Sequence, residues 1–441
     1  MLDESAAEAR FVVVRPNGDR RVLAFEPVTR SSSAVWGQAG KTVIATDSIL
    51  SVWLSRGEDV EPERLAHPGA AEFVALDAAP DDRYIRVMYR GTLDVPNYSH
   101  SVYDLTAASP LSMEPGCNGS QSLFRWHRDG PAAVQLNNTC MGLGVVEEHT
   151  VSYVASDETR SLASFSVNEE PAVSISPSGD LILFEYEDRW QLRDLAGRTL
   201  REALTHSAQL KHAWSQDGLA LYRVEGDRLT RYDTNGDAGW ETDLGIFPAS
   251  ITPSPVGGQI LVMSGDCGGG SCVVLIDDAD GSARFDQEPR GSASWSPTGD
   301  ALIVGPVQFE TEGMYGLRTL GSGQTRPLTT WCQAPKWSPD GEMFICEDRC
   351  DSTPVNERAR QLRLFDRHGG FVLETACAIH REFLWSPNSD LVALNLTDVG
   401  ETPADDRHRI RLIDLHGGEH ELGPGLVQRG FWRPGDHDTA F

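Results

Sequence analysis

A short motif returns along the chain at a nearly fixed interval, and that interval constrains the architecture more than any other feature. It reads Trp295-Ser296-Pro297-Thr298-Gly299-Asp300, Trp337-Ser338-Pro339-Asp340-Gly341-Glu342 and Trp385-Ser386-Pro387-Asn388-Ser389-Asp390. Variants stand at Ile175-Ser176-Pro177-Ser178-Gly179-Asp180 and Trp214-Ser215-Gln216-Asp217-Gly218, with a worn copy at Thr252-Pro253-Ser254-Pro255-Val256-Gly257-Gly258. Successive copies lie about 39 to 48 residues apart, the length of one four-stranded propeller blade.

Each unit reads as four strands, A to D. The segment ending at Trp is strand A, and Ser-Pro-x-Gly supplies a tight turn, with Pro fixing φ and Gly accepting positive φ. An apolar strand B follows, such as Leu181-Ile182-Leu183-Phe184 or Leu391-Val392-Ala393-Leu394. After a loop of variable length comes an alternating strand C, such as Ile410-Arg411-Leu412-Ile413-Asp414-Leu415, then a turn at His416-Gly417-Gly418 and a short strand D, Glu419-His420-Glu421-Leu422. Continuous apolarity in B and alternation in C suit strands with two and one buried faces.

These units resemble the TolB-type, WD40-like repeat, closely from about residue 170 to 425 and weakly before that. Degenerate copies are read at Val35-Trp36-Gly37-Gln38-Ala39-Gly40, Leu76-Asp77-Ala78-Ala79-Pro80-Asp81-Asp82 and Arg125-Trp126-His127-Arg128-Asp129-Gly130. The resemblance implies an all-β fold, a single closed β-propeller of four-stranded antiparallel blades, serving as a binding platform for a protein or peptide. The repeated tryptophans Trp214, Trp295, Trp337, Trp385 and Trp432 are read as packing between blades.

The tail, Gly430-Phe431-Trp432-Arg433-Pro434-Gly435-Asp436, repeats strand A and its turn and then stops, while the opening residues 10–25 read as strands C and D. Residues 429–441 with 1–30 are therefore expected to share one closing blade, which removes unpaired edges. Degenerate blades then occupy 31–168 and clear ones 169–428. The count is about ten blades of about 44 residues; seven or eight with an irregular N-terminal region, or two smaller rings, are the alternatives. No linker composition marks a boundary, which favours one ring over residues 1–441.

A–B and C–D turns lie at one end of such blades, B–C loops and D–A connections at the other. The B–C loops are lengthened unevenly, at 91–101, 138–149, 265–271, 308–313, 348–360 and 397–408. Elaborated loops on a rigid scaffold are where contact is expected, with Asn97, Tyr98, Glu310, Glu312, Asp351, Glu357, Arg358, Asp398, Asp405 and Arg407 as candidate binding-face residues. All eight cysteines map to that end: Cys117, Cys140, Cys267, Cys272, Cys332, Cys377, Cys346 and Cys350. An even count suggests four disulfides, with the partners open and exchange most readily imagined within Cys332, Cys346, Cys350 and Cys377. Disulfides imply an oxidising compartment, so periplasm, cell surface or secretion is expected although Met1-Leu2-Asp3-Glu4 is no export signal.

The net charge of −27, from 65 acidic against 38 basic residues, disfavours a nucleic-acid partner and fits either simple solubility or a basic partner. No apolar run is long enough to span a membrane. The chain carries no Gly-x-Ser-x-Gly elbow and no His-Glu-x-x-His, so no catalytic or metal residue is assigned and no cofactor expected. His127 and His212, beside strands A, could face a channel but are read as structurally satisfied. Cys346-x-x-x-Cys350 lacks the further ligands of a zinc site. Asp233-Thr234-Asn235-Gly236-Asp237 and Asp277-Asp278-Ala279-Asp280-Gly281 resemble the start of a calcium loop yet stand where a C–D turn needs Asp, Asn and Gly. Asn118, Asn137 and Asn395 are glycosylation sequons. Besides the binding platform, the readings are a self-associating subunit of a surface assembly and a propeller enzyme with a channel site.

Overall fold

The computed structural model describes the strands between residues 2 and 166 and, with their turns, residues 172–186, 189–204, 210–265, 272–286, 293–305, 315–320, 325–328, 332–349, 360–398 and 407–424. Every regular element among them is a β-strand, arranged in nine four-stranded antiparallel sheets and one three-stranded sheet. Each four-stranded sheet is a meander of consecutive strands. The three degenerate copies also head sheets of four, beginning at Ala34–Trp36, Glu72–Ala78 and Phe124–Trp126. At the N-terminus, Arg10–Val14 pairs with Arg20–Val22 on one side and with Leu2–Asp3 on the other. The tail expected to complete that sheet, with Trp432, lies outside the described residues.

From residue 172 onward, the serine that opens the A–B turn closes each hairpin with the same backbone bonds. Ser296 N–H donates to the Ala301 carbonyl and Gly299 N–H to the Ser296 carbonyl. The buried Ser296 hydroxyl accepts the Ala301 N–H at 3.1 Å and donates to Asp300. Ser215, Ser338 and Ser386 make the same pair of bonds, to Asp217, Asp340 and Asp390. The glycine also sits where sheets meet: Gly218 has φ +74°, and a Cβ there would stand 2.8 Å from the Ser178 backbone nitrogen of the preceding hairpin. Its conformation and its crowding both exclude a side chain.

Strands B are buried on both faces, and their alternate residues enter different cores. In Leu181–Glu185, Ile182 and Phe184 pack with Val151, Leu162 and Phe165 of the preceding sheet, whereas Leu181 and Leu183 pack with Leu221 and Tyr232 of the following one. Leu261 and Leu302 share one core, while Ile260 and Ile303 face away into its two neighbours. Phe344 and Ile345 divide in the same manner. Six such cores link the seven sheets from residue 124 to 424 in chain order. Each fully buried Leu, Ile or Phe contributes about 1.5–3 kcal/mol, and the period-two alternation of a strand delivers that burial to both neighbours at once.

The tryptophans fasten strand A to strand A. Trp214 Nε1 donates to Ser174 Oγ (2.9 Å), Trp295 to the Thr252 carbonyl (2.9 Å) and Trp385 to the Lys336 carbonyl (3.3 Å), each in the sheet before. Trp337 instead packs against Phe344, with no acceptor for its indole N–H. First strands side by side, with faces stacked in sequence, are the blade arrangement of a β-propeller.

Two expectations are corrected. Residues 138–149 are not a long loop: Ala133–Met141 pairs with Val145–Val154 across a bulge at Thr139/Cys140, leaving 142–144 as the connection. The ladder uses backbone groups, so the polarity of Asn137-Asn138-Thr139 does not end it. Cys346 does not border a loop either, since Met343–Arg349 runs past it and its side chain is wholly buried.

Candidate functional site

The two ends of the blades differ sharply in regularity. Five residues join every A strand to its B strand from residue 172 onward: 176–180, 215–219, 254–258, 296–300, 338–342 and 386–390. The C–D turns are nearly as uniform, as at 195–198, 234–237, 278–282, 367–370 and 415–418. The B–C connections vary widely, from 226–227 and 186–188 to 265–271, 350–359, 399–406 and 305–315. Length variation therefore collects at the B–C end of a scaffold held constant at the other.

Of the candidate contact residues, Tyr98 opens Tyr98–Asp104 opposite Arg90, and Asp398 stands opposite Arg407 where two strands enter a long connection. Asn97, Glu310, Glu312, Asp351, Glu357, Arg358 and Asp405 lie outside the described residues. So do Cys117, Cys267, Cys350, Asn118 and His127. Cys140 lies within Ala133–Met141.

Cys332 is joined to Cys346 across 14 residues, and Cys272 and Cys377 are also disulfide-bonded. Cys332–Cys346 ties the D–A connection to strand B of the same sheet, inside the core shared with Ile303 and Leu317. This takes both sulfurs of the 332/346 pair into the core, away from the loop surface where sequence position alone had put them. Asn395 is 4% exposed within Leu391–Asp398, so its sequon is closed to a glycosyl group in the folded chain.

His212 meets a buried polar group between two blades. Its Nδ1 lies 2.9 Å from Glu185 Oε2, and Arg223 Nε lies 3.8 Å from Glu185 Oε1. Arg223 is 3% exposed, stacks over the Trp190 ring at 4.7 Å and reaches Glu225 at 3.3 Å. Burial presses its guanidinium below the ordinary value, against the pull of Glu225 and Glu185. These charges link sheet 172–204 to sheet 210–243, His212 at hydrogen-bond distance from Glu185 and Arg223 as a longer ion pair. Farther along, Arg363 joins Asp348 (2.6 Å) and Glu374 (3.3 Å).

At the regular end, carboxylates hold the turns. Asp233 accepts the Asn235 and Asp237 N–H groups, Asp277 the Ala279 N–H, and Asp280 the Ser282 N–H, while Asp278 pairs with Arg231. The two sequences that resemble calcium loops thus direct these oxygens to their own backbone and to Arg231. Desolvation alone would raise Asp233 and Asp217, but the backbone N–H groups, joined at Asp217 by the Ser215 hydroxyl, outweigh it and hold both below 3.8. Sequence reasoning did not find the cleft at this end, bounded by Ser178, Leu181, Asp194, Leu195, Gly218 and Leu219 with a volume of about 410 Å³. Its sequence signal is Leu219, an apolar residue where four of the five other turns carry Asp180, Asp300, Glu342 or Asp390.

No family model matches the sequence, and no curated protein matches it. Among solved structures, that of the eukaryotic initiation factor is 13% identical and aligns over 85% of this chain and 94% of that one, with a TM-score of 0.56. TolB from Acinetobacter baumannii is 15% identical over 66% of this chain and 78% of that one (TM-score 0.29). The Myceliophteria thermophila Cps50 (Swd1) beta-propeller domain is 13% identical over 60% and 89% (TM-score 0.33). The first of these is a likeness of fold. Among the described residues, no helix is long and apolar enough to cross a membrane.

Proposed function

We propose that this chain is an interaction scaffold: one closed propeller of ten blades that holds a protein or peptide partner at its B–C end or in its channel, without catalysis. The observation that carries the reading is the contrast between constant A–B turns and B–C connections ranging from 226–227 to 305–315. A rigid stack with variable loops at one end is the arrangement in which recognition can change without cost to the core. Closure is supported by the N-terminal sheet, which has three strands among the described residues where the other sheets have four, and by the strand-A-like Gly430-Phe431-Trp432. The disulfide Cys332–Cys346 supports work outside the cytoplasm.

The test replaces residues 399–406 and, separately, 305–315 with a two-residue turn like Gly226-Asp227 and compares partner capture from native extract. The expected result is a partner retained by the parent chain and lost from one or both shortened variants, with thermal midpoints little changed. Undiminished capture of the same partner by both variants contradicts the B–C end as the contact surface and leaves the channel, and no capture by the parent contradicts the scaffold reading.

A further inference from the structure

The cleft at the regular end lies between the 172–204 and 210–243 sheets, opposite the elaborated loops, and the proposed scaffold reading does not account for it. Its floor forms because Gly218 approaches the Ser178 backbone so closely. Its lining is mainly apolar: Leu181 and Leu195 stand on one wall, and Leu219 on the other is 52% exposed. Leu219 and the half-buried Leu195 together line one exposed apolar surface, and covering it on binding would be favourable.

The surrounding charge decides what covers it. Asp180 and Asp194 line the cleft, and Asp217 and Asp233 adjoin its lining residues Gly218 and Thr234. The cations nearby are already engaged, Arg198 with Asp194 at 2.6 Å and Arg231 with Asp278 at 3.0 Å. The Asp194 oxygens accept the Ala196 and Arg198 N–H groups and the Arg198 guanidinium. Asp194 is thus spent on its own turn, and the acidic balance of the rim comes from Asp217 and Asp233 beside it. A second copy of the chain, carrying −27, would be repelled.

We infer that this cleft is a docking groove for a cationic amphipathic peptide segment of a partner protein, an aliphatic side chain entering beside Leu219 while flanking Lys or Arg residues face the carboxylate rim. It is a second surface, separate from the B–C end, and neither stands or falls with the other.

The experiment measures fluorescence anisotropy of a labelled peptide of alternating Lys and Leu against the full chain. A Lys/Ser peptide and a Glu/Leu peptide serve as controls. Leu219→Arg places a cation in the groove at an exposed position, and Leu204→Arg makes the same change at the opposite end of the 172–204 sheet, where Leu204 is 64% exposed. The expected result is saturable Lys/Leu binding that weakens with salt, falls by about tenfold or more in Leu219→Arg and is unchanged in Leu204→Arg. Unaltered thermal midpoints establish that both variants fold. Equal binding of the Lys/Ser peptide, equal loss in both variants, no binding to the parent chain, or self-association abolished by Leu219→Arg would each overturn the inference.

Discussion

Ser296 shows how much of a blade rests on one hydroxyl. Its Oγ accepts the buried Ala301 N–H and donates to Asp300, so Ser296→Ala leaves a buried donor unmet and is expected to cost about 1–3 kcal/mol in urea unfolding. A loss within experimental error would contradict that role. Ser389 is the sole non-glycine with positive φ among the described residues, at +65°, and its hydroxyl accepts the Asp340 N–H of the preceding hairpin. Ser389→Ala loses the bond and keeps the strain, whereas Ser389→Gly loses the bond and relieves it. The glycine variant should therefore be the more stable of the two by about 1 kcal/mol. Acid sensitivity follows from the same turns. Despite desolvation, which raises them, Asp217, Asp233 and Asp300 are held below 3.8 by hydrogen bonds to the charged form. The folded chain binds fewer protons than the unfolded one, so this stability is present above 3.8 and lost as pH falls through the depressed folded values. The urea midpoint should decline below about pH 4, and less steeply in Asp217→Asn; identical acid profiles would refute the assignment. The turn's Pro and Gly were legible in the sequence. The serine's second bond was not, because its Asp partner shifts between the second and fourth following positions.

At the level of elements, the tryptophans divide into two kinds that the repeat alone makes look alike. Trp295→Phe removes a bond to the Thr252 carbonyl and should cost about 0.5–1.5 kcal/mol more than Trp337→Phe, whose indole N–H has no acceptor. Equal losses in denaturant titration would show that packing alone sets their value. Removing Cys332–Cys346 by paired alanines should cost about 3 kcal/mol for a loop near this length, read as a lowered unfolding midpoint under non-reducing conditions. Which sulfur meets which was illegible in one dimension, since pairing depends on strand B carrying Cys346 inward. Strand B was legible through its unbroken apolar run, and strand A through its tryptophan. The 133–154 hairpin was not, because Gly142 and Gly144 among polar neighbours read as a loop while the backbone ladder continued almost to them.

For the whole molecule, the sequence period anticipated the order of the sheets, including the three faint copies before residue 130, because each copy needs only an apolar A–B hairpin to begin a blade. The cleft beside Leu219 and the paired Glu185, His212 and Arg223 were hidden, since both arise between blades about 40 residues apart. The central claim is that the line of sheets bends into a ring. Its most direct measurement is a spin-label distance between His420, in the last described strand, and Arg21, in the N-terminal sheet, calibrated against His420 and Glu374 in adjoining sheets. A closed ring predicts that the two pairs give similar, narrow distances, and a His420–Arg21 separation far longer than the calibrating pair would contradict it.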